Sequence, residues 1–280
     1  MDIQKALDYA KQWAVEAGAL QLEYLHKKIK YNTKSSDIDM VTEVDLLCEK
    51  LIISKIKEVY PLHSIISEEA GKSTDENEYV WIIDPLDGTN NYFHGYPAFA
   101  VSIALRCRNE PLIGVIYVPY AGEMFSAAKG MGAYLNDIKI EVSATDGLKG
   151  SLLATGFPYD KAEDLKNNNI ELFAHIVPDI MGIRRSGSAA YDMCCVACGR
   201  LDGYWEQKIK LWDMAAGELI IREAGGEVLY NVHEKGINII AGNPTMVKLL
   251  QSKISEVYKD FLGRGRDLTQ TLQYYRKNNH

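Results

Sequence analysis

The chain has 280 residues, 47% of them hydrophobic and 25% charged, which suits a soluble globular protein with a sizeable core in one or two domains. Its formal net charge of −7 argues against nonspecific binding to nucleic acid or to an anionic membrane. A small anionic substrate stays compatible with that charge, because metal ions can supply local positive charge.

The start, Met1-Asp2-Ile3-Gln4-Lys5, has neither a basic nor an apolar stretch, so no signal peptide is expected. The apolar run 98–105 is too short to span a bilayer. Apolar positions at Ile3, Ala6, Leu7, Ala10, Trp13, Ala14, Ala17, Leu20 and Leu25 recur at helical spacing and predict a long amphipathic helix over 2–28. The polar stretch 31–39, with Lys34-Ser35-Ser36-Asp37, reads as a loop or a weak hairpin. Thr42-Glu43-Val44-Asp45 matches a capping box, followed by a helix over 46–59 that Pro61 ends. Asp45 therefore has two readings, a cap for its own helix or a functional acid. A strand over 62–67 delivers Glu68 and Glu69 to its end, where two acids are either solvated surface or part of a site.

The run Tyr79-Val80-Trp81-Ile82-Ile83 predicts a short buried strand with Asp84 at its carboxyl end. Pro85 cannot donate to a sheet ladder, so a turn is expected there. Asp87 follows, Gly88 permits tight backbone geometry, and a short helix over 90–94 would place its first N–H groups near Gly88 and Thr89. One turn thus gathers two carboxylates, a hydroxyl and several backbone donors. Carboxylates that close repel, and Mg²⁺, a hard cation that takes oxygen ligands, would relieve the repulsion. The plain alternative is a solvated Asx-type turn.

Strands over 98–106, 112–118 and 123–128, with turn signals between them, predict an antiparallel meander. Gly130-Met131-Gly132-Ala133 resembles the opening of a dinucleotide fingerprint, but Leu135 occupies the third-glycine position, so a turn is expected. A strand over 151–155, a helix over 164–176 stopped by Pro178, and a strand over 183–185 follow. Ser186-Gly187-Ser188-Ala189-Ala190 opens a helix through Cys198; its small residues either admit a ligand or simply pack. Cys195-Val196-Ala197-Cys198 lacks a second ligand pair for zinc. Five cysteines, an odd number without a disulfide framework, suit buried thiols in a reducing cytoplasm. A strand over 203–206 places Glu206 near its end. Leu211-Trp212-Asp213 starts a helix to Arg222, where Asp213 is either a helix-start acid or a ligand. Strands over 227–230 and 237–241 and a helix from Asn243-Pro244 to about 261 complete the body. This order predicts layered helices and sheets in two lobes, 1–145 and 146–262, with a polar tail at 263–280 for which both disorder and docking stand open.

Taken in order, Asp45, Glu68-Glu69, Asp84-Pro85-Leu86-Asp87-Gly88-Thr89, and Trp212-Asp213 with Gly217 resemble the signature of the inositol monophosphatase family, within the lithium-sensitive, Mg²⁺-dependent phosphatase superfamily. The likeness covers 1–262. It implies an α/β (α+β) fold, a five-layered αβαβα sandwich. It implies two or three Mg²⁺ ions: Glu68, Asp84 and the Leu86 carbonyl on one, Asp84, Asp87 and Asp213 on a second, and Glu68 helping to hold a third. Thr89 would position a water, with Asp45 accepting the threonine proton and Glu68 completing the catalytic set. Backbone N–H groups of Gly88 and Thr89 would hold phosphate. Gly187, Ser188, Ala189 and Glu206, beside Asp87 and Asp213, would face the alcohol part of the substrate. Lys34 would lie in a loop that closes near the phosphate, and Glu69 would act less directly. A homodimer and inhibition by Li⁺ are also implied.

The implied reaction, hydrolysis of a phosphate monoester, is extremely slow unaided and suits metal-assisted attack by water. Inositol monophosphate is the expected substrate, since Gly187-Ser188-Ala189 and Glu206 lean that way. Fructose 1,6-bisphosphate, adenosine 3′,5′-bisphosphate and the 2′-phosphate of NADP stay open, because the short connection from Glu68 to Asp84 would leave room for a nucleotide. Two other classes stand beside this one. A noncatalytic metal-binding relative would be marked by loss of a ligand. A glycosidase with paired carboxylates would work without metal and would leave the Gly88 and Thr89 donors no task.

Overall fold

The computed structural model describes residues 1–33, 40–72, 77–108, 110–165 and 167–262; Lys34 and the tail 263–280 lie outside the described residues. The chain opens with α1 (Ile3–Tyr24), capped by the Asp2 carboxylate, which accepts from Lys5 N at 3.0 Å. β1 (Tyr31–Thr33) and β2 (Met40–Thr42) pair antiparallel, which is the hairpin alternative. Then come α2 (Glu43–Val59), β3 (Ser64–Ser67), β4 (Gly71–Lys72), β5 (Tyr79–Asp87) and α3 (Thr89–Phe93). The meander is β6 (Ala100–Cys107), β7 (Glu110–Val118) and β8 (Glu123–Ala128), antiparallel as expected and prolonged by β9 (Ala133–Leu135) and β10 (Ile138–Ile140). The second half runs β11 (Leu152–Thr155), α4 (Ile170–Ile176), β12 (Gly182–Arg184), α5 (Ala189–Ala197), β13 (Gly203–Ile209), α6 (Leu211–Glu223), β14 (Glu227–His233), β15 (Gly236–Gly242) and α7 (Pro244–Val257).

Among the described residues, one sheet has the order β10-β9-β8-β7-β6-β5-β3-β4 and another β12-β11-β13-β15-β14. Period-2 alternation makes the layers. On β5, Trp81 and Ile83 face a core shared with Ala10, Trp13 and Ala17 of α1 and Cys48 and Ile52 of α2. Val80 and Ile82 face the opposite core, shared with Met193 and Cys194 of α5 and Leu219 and Ile220 of α6. That core reaches Tyr204 and Ile239 of the second sheet. Trp205 and Ile240, one residue on, point the other way, against Leu172 of α4 and Leu250 of α7. The stack is therefore helix, sheet, helix, sheet, helix, as the resemblance implies.

Two features bind α6 to the first sheet. A side chain at Gly114 of β7 would stand 2.5 Å from the Ala216 carbonyl oxygen, so only glycine lets this helix approach. Beside it Arg106 of β6 and Glu218 of α6 form an ion pair at 2.8 Å, with 1% and 2% of their side chains exposed.

The structure corrects several boundaries. Pro85 makes no turn: β5 continues to Asp87, and pairing passes from Asp84↔Ser102 to Asp87↔Ala100, a bulge that absorbs the proline and its missing N–H. The helix expected over 164–176 begins only at Ile170, after Asn169 adopts φ 68° and Asn168 Oδ1 accepts from Ile170 N at 3.1 Å. Its end at Ile176 is as expected, with Pro178 in a following 3-10 turn, Val177–Asp179. The first helix ends at Tyr24 and the last at Val257, short of 28 and 261. Cys194 and Cys195 are buried in α5 and Cys198 is half-buried at its C-cap, with all five thiols free. No helix among the described residues is long and apolar enough to cross a membrane.

Candidate active site

The β5 bulge carries the site. It brings Asp84 and Asp87 to one end of the strand while Leu86 stays buried between them, its N–H donating to Asp84 Oδ1 at 3.0 Å. Gly88 then takes φ 90°, and a side chain there would stand 2.8 Å from the Ala98 carbonyl oxygen, so glycine is required. α3 starts directly after it. From the other half of the chain, α6 starts at Leu211 and presents Asp213 in its first turn, where Asp213 Oδ2 accepts from Lys210 N at 2.7 Å. Carboxylate oxygens of Asp84, Asp87 and Asp213 lie within 4.8 Å of one another. At an effective dielectric of about 20, each ionised pair at that distance costs roughly 3 kcal/mol.

The electrostatics follow. Burial first, then the neighbouring Glu68, Asp87 and Asp213, hold the Asp84 carboxyl well above the usual range. Asp213 is raised likewise by desolvation and by Asp87 and Glu68. Asp87 is pushed up to about 6 by burial, partly offset by the Ser188 hydroxyl and the Ala190 N–H, which both donate to its Oδ2, the latter at 2.8 Å. An all-oxygen set of crowded, desolvated acids fits a hard divalent cation.

Thr89 Oγ1 faces Asp45 Oδ1 at 2.9 Å and the Leu86 carbonyl oxygen at 3.1 Å. Asp45 meets both of its readings. Its Oδ2 closes the capping box with Thr42 N at 2.9 Å, while its Oδ1 takes the Thr89 hydroxyl. Burial pushes Asp45 up to about 6.

A cleft of about 480 Å³ opens on this cluster. Glu68, Asp84, Leu86, Asp87, Gly88, Thr89, Asp213, Gly187, Ser188, Ala189 and Glu206 all line it, so these residues singled out in the sequence converge on one space. The Ser188 hydroxyl turns inward to Asp87, and Ser188 also caps α5. Glu206 accepts from the Tyr204 hydroxyl, and burial raises its carboxyl to about 7. Asp45 is not in the lining; it stands behind Thr89. Glu69 is also outside the lining.

The model of the inositol monophosphatase family matches residues 2–257. This chain belongs to the inositol monophosphatase family. It is 46% identical to an inositol-1-monophosphatase of Synechocystis over 228 residues, 81% of this chain and 79% of that one. It is 41% identical to the Nus factor SuhB of Haemophilus influenzae over 254 residues, 89% and 95% of the two chains. The solved inositol monophosphatase of Anabaena (Nostoc) superposes with a TM-score of 0.83 at 42% identity, covering 92% of this chain and 98% of that one.

Within this family member, the structure adds residues that the sequence did not single out. Glu49, buried on α2, accepts from the Ser67 hydroxyl, from Glu69 N at 3.0 Å and from Ala70 N at 2.9 Å. It thereby fixes the loop that presents Glu68. Its signal was a glutamate one helical turn after Asp45, on the same face as the buried Cys48 and Ile52. Asn91 Nδ2 donates to the Ala98 and Ser186 carbonyls at 2.6 and 2.9 Å, joining α3 to the loop before α5. Asp192 lines the cleft, raised by burial to about 7.

Proposed function

We propose that this chain is a Mg²⁺-dependent phosphomonoesterase that hydrolyses inositol monophosphate to inositol and phosphate. The observation that carries this reading is the approach of Asp84, Asp87 and Asp213 within 4.8 Å, on a cleft that also holds Gly88, Thr89, Ser188 and Glu206. Glu68, Asp84, Asp87, Asp213 and the Leu86 carbonyl would hold two or three Mg²⁺ ions. When bound, Mg²⁺ supplies positive charge against the phosphoryl oxygens and makes water a nucleophile near neutral pH.

The chain's own residues do the rest. Thr89 gives its proton toward Asp45, which leaves its lone pairs to orient the attacking water. The N–H groups of Gly88 and Thr89 hold the phosphate. Glu206 and the Gly187-Ser188-Ala189 backbone take the hydroxyls of the alcohol. Two lobes, 1–145 and 146–262, share the work, Asp84 and Asp87 coming from one and Asp213 from the other. We place the protein in the cytoplasm as a homodimer, inhibited by Li⁺.

Phosphate release from inositol 1-phosphate, fructose 1,6-bisphosphate, adenosine 3′,5′-bisphosphate and NADP tests the substrate. The highest kcat/KM is expected for inositol 1-phosphate; a nucleotide or sugar bisphosphate ranked first would reassign it. A second reading is a Nus-factor role, after the name that the Haemophilus relative bears. It predicts a function that survives Asp87→Asn.

A further inference from the structure

The cleft carries a second charged cluster, apart from the acidic centre. Lys208 sits in β13 at φ 62°, a left-handed backbone that lysine rarely adopts, within the register shift between Glu206 and Ile209. The conformation is built in. Lys208 N donates to Asn238 Oδ1 at 3.3 Å, and a side chain at Gly236 would stand 2.6 Å from the Lys208 carbonyl oxygen. The bulge buries the lysine side chain, which is only 4% exposed. Its Nζ donates to both carboxylate oxygens of Asp160, at 2.8 and 2.9 Å, and to Asp164 at 2.9 Å. Lys235 Nζ joins Asp164 at 2.7 Å. Lys208, Asp160 and Lys235 line the cleft beside Phe157 and Tyr159.

Glycine would take this backbone without strain, so the strain is carried for the sake of the side chain. A ligand that pushed into this wall would separate a buried ammonium from its carboxylates, and uncompensated buried charge is strongly unfavourable. Resting on the phosphomonoesterase reading, we propose that Lys208 is a specificity-determining residue. With Asp160 and Asp164 it fixes residues 156–160 as a rigid wall of the cleft, which holds the alcohol half of the substrate to about one polyol ring and keeps nucleotide esters out.

The test is the ratio of kcat/KM for inositol 1-phosphate to that for adenosine 3′,5′-bisphosphate, measured with Mg²⁺ for the wild type, Lys208→Gly and Asp164→Asn. Asp164 is outside the cleft lining, so its variant loosens the ammonium from behind and carries the test if Lys208→Gly does not fold. In each variant that melts cooperatively the ratio should fall by about tenfold or more. A ratio that stays within about threefold of the wild type would overturn the proposal, as would a wild type that uses the nucleotide as readily as the polyol ester. No release from any ester by the wild type would remove the parent reading, and this one with it.

Discussion

Thr89 Oγ1 at the start of α3 lies 2.9 Å from Asp45 Oδ1 at the start of α2, so one carboxylate both caps its own helix and receives a hydroxyl from the site. Thr89→Val should therefore lower kcat by about 10²–10⁴-fold, the usual contribution of a positioned proton acceptor and its partner. Thr89→Ser should keep most of the activity. Steady-state kinetics on folded protein decides this; a Val variant with near-normal kcat would remove Thr89 from the mechanism.

Among the described residues, Glu49 reaches the site through the Ser67 hydroxyl at the end of β3 and the Glu69 and Ala70 N–H groups of the loop that presents Glu68. Glu49→Ala should raise the Mg²⁺ concentration for half-maximal thermal stabilisation by about 10–100-fold, the range found for residues that orient metal ligands. Glu49→Gln retains an amide oxygen as acceptor and should lose less. A melting titration with Mg²⁺ reads both directly, and equal Mg²⁺ midpoints in all three proteins would make Glu49 merely structural.

The outline of the site was legible because Asp45, Glu68, Asp84, Asp87 and Asp213 occur in a recognisable order, although each alone had a plain reading. The structure shows how both readings can hold: Asp45 is a cap and Asp213 is a helix-start acid, yet Asp213 also meets Asp84 and Asp87. Layered helices and sheets were legible from period-2 and helical patterns, and the five-layer order was implied by the family resemblance. Pro85 misled because a bulge, fixed by pairing with β6, can absorb a proline that local rules assign to a turn. Three-residue strands such as β9 and β10 are too short to show a period. Lys208 gave no local signal, since its positive φ lies within a register shift against β15, where Gly236 passes beside its carbonyl.

Burial raises Asp45 and Asp87 to about 6, and Asp192 and Glu206 to about 7. A carboxyl raised in the folded state contributes stability below its ordinary, unfolded pKa and loses it as pH climbs through the folded value. Metal binding needs the opposite, ionised form. Metal-free protein should therefore lose melting temperature from about pH 4 to about pH 7, and the increase in Tm on adding Mg²⁺ should grow as pH climbs through the folded values of about 6 to 7. Calorimetry with and without EDTA measures both; a Mg²⁺ increment independent of pH would contradict the assignment of these acids.

The Arg106–Glu218 pair fastens α6, which carries Asp213, to the sheet that carries Asp84. Glu218→Ala takes the buried carboxylate from Arg106 and from Arg222, and breaking this buried pair should cost about 3–5 kcal/mol in denaturant unfolding. A loss below about 1 kcal/mol would mean that the pair is no clamp, for that is the worth of an exposed one.

In the proposed function, carboxylates hold a divalent cation for attack on a phosphate ester. The most direct measurement is phosphate release from inositol 1-phosphate by the wild type and Asp87→Asn, each with Mg²⁺ and with EDTA. Release is expected from the wild type with Mg²⁺ alone, with a loss of about 10²–10³-fold or more in Asp87→Asn, whose amide oxygen can still accept from Ser188 and Ala190 and so keep the fold. Release that persists in EDTA, or an Asn variant as active as the wild type, would contradict it.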